Sequence, residues 1–146
     1  MAWFRLGKKD ATAGDDSFRQ AADSLLQFAA LAMPCVDPSA VERHPRKQRT
    51  IFAFHFGAIG ELASRYDLDE TRQLALAVRY LAHWYGPDAA ETGSVTAIAA
   101  EIRNTEWKPA RDDGADAMRA LIDSNNIAAP KRLAALLTDT RFIIRP

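Results

Sequence analysis

Apolar positions recur at helical spacing through most of the chain, most densely between Thr50 and Gly86. From Thr50 to Tyr66, Ile51, His55, Ala58 and Leu62 fall on one line, and Phe52, Phe56, Ile59, Ala63 and Tyr66 on the next. A face that wide belongs to a central helix rather than a surface one. A third line, Ala53, Gly57, Gly60 and Ser64, carries only small side chains and invites another backbone to come close. Glycine inside a helix costs about 1 kcal/mol against alanine, so close packing is the expected offset. Asp67-Leu68-Asp69-Glu70 forms an acidic turn that suits a helix start, because aspartate caps backbone N–H groups and glutamate favours the first turn. The second arm carries Leu74, Ala77, Val78, Leu81, Trp84 and Tyr85 and stops at Gly86-Pro87. A turn this short makes the two arms antiparallel neighbours.

The same periodicity predicts a helix from Asp16 to Met33, halted by Pro34. Ser39 to Arg49 is ambiguous, with Pro45 either breaking a short helix or opening the central one. A further helix spans Asp88 to Asn104, unless Gly93-Ser94 delays its start to Ser94. Trp107 plugs the core from the following link. Another helix opens at Pro109 or at Asp112-Asp113 and ends at Ser124-Asn125-Asn126. Pro130 opens a short last helix with Leu133, Leu136 and Leu137, and Phe142-Ile143-Ile144 reads as an extended tail. The fold expected is all-α: a single compact bundle of five or six helices around the hairpin at about Thr50–Gly86. Residues 1–15 read as a flexible N-terminal tail and 16–146 as one domain.

A chain of 146 residues fits one domain with its own core. The balance of 19 basic against 19 acidic residues speaks against whole-surface attraction to nucleic acid or anionic lipid. The lone Cys35 makes an internal disulfide framework unworkable, fits a reducing cytoplasm, and reads as a small apolar core residue. Met1 to Lys9 show no apolar signal core, and no run approaches the ~20 residues of a membrane span. A cytoplasmic location is the expectation.

Candidate chemistry is sparse. Asp67, Asp69 and Thr71 have calcium-loop spacing, but Arg72 and Val78 stand where the loop needs glycine and glutamate. His55 and His83 lack a third ligand, so neither metal nor cofactor is expected. Nucleophile elbows and phosphate loops are absent. A helix-turn-helix over Ala97 to Asp123 would present the acidic start Asp112, Asp113 and Asp116 to phosphates, which argues against DNA. Glu61 and Glu101 read as carboxylates at a solvent edge or paired with arginine.

Two segments remain. Tyr80, His83, Trp84 and Tyr85 crowd two helical turns, and aromatic residues of this kind make interface hot spots. Arg43, Arg46, Lys47 and Arg49 against Glu42 leave a local excess of three positive charges before the central helix, where the macrodipole disfavours them. With His55 they form a candidate anion site. The functional expectation is a small non-catalytic interaction protein, such as an adaptor, an inhibitor or an immunity-type binder, acting on a protein partner through the aromatic segment. Self-association is left open. The alternative is a binder of, or enzyme acting on, a small anionic or phosphorylated ligand at 43–49.

Overall fold

The computed structural model describes the backbone of residues 2–138 except 38, 40 and 42, and the side chains of residues 16–138 except 38, 40, 42 and 92. Six α-helices and three short 3-10 turns occupy them: α1 Ala2–Ala32, α2 Pro45–Tyr66, α3 Glu70–Tyr85, α4 Thr92–Ile102, α5 Lys108–Ser124 and α6 Arg132–Thr138. No strand occurs among the described residues. The all-α bundle expected from periodicity is the fold found. Helix α1 begins at Ala2 rather than Asp16. The expectation for 1–15 falls on residues whose side chains are not described, and Phe142 to Ile144 lie outside the described residues.

Pro45 opens α2 at its first turn, where its missing N–H costs nothing. At the other end Asp67 turns left-handed at φ 53°, and the Leu68 N–H returns to the Ala63 carbonyl at 2.9 Å. Leu68 is buried there, so one hydrophobic side chain and two backbone bonds close the helix. Asp69 then caps α3 by accepting the Arg72 N–H at 2.9 Å. Gly86, at φ 91°, ends α3 in a conformation an L side chain resists.

The two arms run antiparallel: Phe52 meets Tyr85 at 5.3 Å between ring centroids, and three residues later along α2 His55 meets Tyr80 at 4.3 Å. From Thr50 to Ile59, α2 is buried on every side, with only Phe56 half-exposed. Phe54, which belongs to neither apolar line picked out above, is fully buried and stacks on Phe28 of α1 at 5.3 Å. Yet the most extensive partner of α2 is α5, not α3. The contact is made through glycine in both directions. A Cβ on Gly57 would stand 1.9 Å from the Arg111 carbonyl oxygen, and one on Gly114 would stand 1.8 Å from that of Phe54. Gly60, on the same small-residue line as Gly57, has open space beside it.

Trp107 plugs the core at 1% exposure, beneath the Arg46 guanidinium at 4.8 Å. Arg111 donates to the carbonyls of Ile102 and Asn104, satisfying orphan acceptors where α4 ends. Cys35 is exposed, which corrects its reading as a core residue: it sits in the 3-10 turn that follows α1, outside the packed face. No helix among the described residues is long and apolar enough to cross a membrane.

Candidate functional site

The chain folds so that four segment ends converge. They are the close of α1 with its 3-10 turn, the first two turns of α2, the last turn of α3 and the last turns of α4. Between them lies a cavity of about 730 Å³. Pro45 starts α2 beside it, which brings Gln48, Arg49 and Phe52 to the wall at helical spacing. Gly86 ends α3 just after Trp84 and Tyr85, which supply the aromatic side. Ile98, Glu101 and Ile102 of α4, with Met33, Val36 and Val41 between α1 and α2, complete it.

The polar groups are few. Arg49 Nε donates to Glu101 Oε1, joining α2 to α4, and Arg49 Nη1 also reaches the Pro45 carbonyl at 3.3 Å. Both side chains are over a third exposed, at 36% and 44%, so the pair stands at the rim. Trp84 Nε1 and the Tyr85 hydroxyl are buried without a hydrogen-bond partner among the described residues. Tyr85 packs edge-on against Phe52 and, at 6.0 Å, against Tyr80. Burial raises the Tyr85 hydroxyl above its ordinary range, while neighbouring Tyr80 and Gln48 act in the opposite sense.

Behind this wall lies a second polar cluster. Tyr80 is fully buried, with its hydroxyl 3.1 Å from His55 Nδ1 and 3.7 Å from the sulfur of Met33, a cavity residue. His55 Nδ1 is also 2.9 Å from the Ile51 carbonyl. A carbonyl only accepts, so Nδ1 carries the proton and Nε2 is the bare nitrogen. Nε2 has no partner among the described residues. Phe28 and Phe54 close around the ring at 5.6 and 5.7 Å. Burial pushes the His55 imidazole down to about 4, against a smaller opposing effect of the Ile51 carbonyl. Burial also lifts the Tyr80 hydroxyl well above the phenol range. The cluster is therefore neutral at pH 7.

The structure redistributes the two candidate segments. Of the aromatic four, Tyr80 is in the core and cannot meet a partner. His83 is exposed with its ring 5.2 Å from Trp84, and Trp84 and Tyr85 line the cavity. Of the basic five, His55 is removed from solvent and uncharged at neutral pH, so it drops out of an anion site. Arg46 is engaged with Glu106, both terminal nitrogens at 3.2 Å. Arg43 is exposed and Lys47 half-buried, and only Arg49 reaches the cavity. His55 and His83 do not meet, one being in the core and the other in solvent. Glu61 pairs with Arg119 at 2.7 Å and Glu101 with Arg49, the arginine-paired reading for both. Among the described residues no group of three or more His, Cys, Asp or Glu could hold a metal ion.

Sequence reasoning missed Gln48, Met33, Val36 and Ile98 as members of one wall. The only local signal was an amide inside a basic run. No model of a known protein family matches the chain, and no curated protein or solved structure matches it either.

Proposed function

We propose that this is a binding protein whose site is the cavity between α2, α3 and α4, and whose ligand is a small, largely apolar molecule. The observation that carries the reading is the cavity itself. At about 730 Å³ it falls within the roughly 300–1,000 Å³ of small-molecule sites, and its wall has their usual make-up: aromatic and aliphatic side chains with a few polar groups. Trp84 and Tyr85 thereby acquire a role that joins the two segments singled out by sequence. The test is titration with N-phenyl-1-naphthylamine, a neutral apolar fluorophore. Saturable one-to-one binding is expected, and Ile98→Trp, which projects bulk into the cavity, is expected to abolish it while leaving the thermal melt intact. Absence of saturable binding to the native chain sinks the reading.

The second reading is an adaptor, inhibitor or immunity-type binder of a protein partner. Its support is exposed His83 beside Trp84. Against it, Ile127 is the one large hydrophobic side chain exposed among the described residues, so no broad apolar patch favours a flat interface. A cytoplasmic location belongs to both readings.

A further inference from the structure

We infer that the ligand is an amphipathic carboxylic acid, whose carboxylate takes the place of Glu101 on Arg49 while its apolar body fills the cavity. This rests on the cavity as a binding site and adds the chemistry of the ligand's polar end. The guanidinium presents a planar fork that matches a carboxylate, and Glu101 at the rim engages only one of its nitrogens, Nε, through Oε1. A pair this exposed holds loosely, so a competing carboxylate opens it at small cost. Arg49 does not need Glu101 to stay in position, because its Nη1 also bonds the Pro45 carbonyl at 3.3 Å. Gln48, one position earlier on the same wall, supplies an uncharged amide near the same end.

The surrounding charge selects the sign. Exposed Arg43 and half-buried Lys47 stand in or just before the first turns of α2. That helix has no acidic side chain in its own first turn and no side-chain cap, so the positive end of its macrodipole is met only by carboxylates of other segments, Glu106 on Arg46 and Glu101 on Arg49. Asp37, in the segment leading to the cavity, turns its carboxylate onto Ser39 at 2.8 and 3.1 Å. A cationic head group would find Glu101 but meet the Arg49 guanidinium and the start of α2, with Arg43 and Lys47 outside the cavity wall as nearby surface charge. An anionic head group finds all of these favourable once Glu101 is displaced. The body can be aliphatic or aromatic, since Met33, Val36, Ile98 and Ile102 accept the first and Phe52, Trp84 and Tyr85 the second.

The full chain is titrated by calorimetry with decanoate, with 2-naphthylacetate and with the neutral control decanol. The expected result is that at least one carboxylate binds more tightly than decanol, and which one identifies the body. Arg49→Gln is expected to weaken that carboxylate about tenfold, leaving decanol unchanged. Glu101→Gln is expected to tighten it by about two- to fivefold, because the internal competitor is gone. That opposite sign keeps the inference testable if Arg49→Gln fails to fold. Equal binding of decanol and both carboxylates, an Arg49→Gln variant that binds them as before, or a Glu101→Gln variant that does not tighten overturns the carboxylate inference while the cavity reading stands. Failure of all three ligands while the neutral fluorophore binds overturns the carboxylate inference alone, and failure of the fluorophore overturns both.

Discussion

At the scale of single residues, His55 is the side chain whose environment has the clearest consequence. Its ring is enclosed by Phe28, Phe54 and Tyr80, with Nδ1 on the Ile51 carbonyl and Nε2 bare. The folded protein holds this group near 4, below the 6.5 of an exposed histidine. Between those values the unfolded chain binds the extra proton and the folded chain does not. Stability is therefore whole above about pH 6.5 and lost as pH falls towards 4. The linkage amounts to about 2 kcal/mol between pH 7 and pH 5. His55→Phe removes the titrating group, so its urea-denaturation stability is expected to fall about 2 kcal/mol less than that of the native chain over this interval. A native chain whose stability matches the variant's pH dependence would show that His55 keeps its proton when folded. The sequence placed His55 on an apolar line of α2 and His83 beside the apolar positions of α3, which did not by itself fix that only His55 would be enclosed. Which one was enclosed depended on the helices that came to lie across each.

At the scale of elements, the α2–α5 contact is the most extensive among the described residues, and it rests on Gly57 receiving the Arg111 backbone and Gly114 that of Phe54. The small-residue line was legible in sequence, and so was the reason for it. What was not legible is where the line stops mattering. Gly57→Ala would put a methyl 1.9 Å from a carbonyl oxygen, so two helices must separate, and a loss of about 3 kcal/mol is expected. Gly60→Ala, with open space, keeps the helix and removes chain entropy, so a gain of about 0.5–1 kcal/mol is expected. Thermal melts of the two variants should move in opposite directions. If both rise, the close approach at Gly57 is not what the geometry states. The Gly86 stop was readable for a similar reason, since it acts through its own backbone neighbourhood, while Pro45 and the aspartate cap of α3 were each left with two readings. Asp67 in the left-handed region was not foreseen, because the sequence offered two aspartates for one cap.

For the whole molecule, the cavity exists because α2 is too enclosed to leave room along its middle, while its first turns outrun α5. Segment ends gather there instead. A ligand that binds only the folded chain must stabilise it by mass action, by about 2.7 kcal/mol at one hundred times its dissociation constant. For a domain of this size that corresponds to a rise in Tm of roughly 5–11 °C. The shift is expected with the tighter-binding carboxylate of the proposed test, and it should vanish in Ile98→Trp. A shift that persists in the filled variant would place the ligand elsewhere.

Local pattern alone determined that the chain folds as an all-α bundle, where most of its helices end, and that the Thr50–Gly86 hairpin lies at the centre. Those properties follow from spacing and from residues that act on their own backbone. Only the tertiary structure decided which helix packs closest to α2, which aromatic residues are core and which are wall, and that Arg49 alone of the basic run reaches the cavity. Each of those depends on the rotation of one helix against another, and a rotation of one residue, about 100°, exchanges a buried side chain for a cavity-facing one.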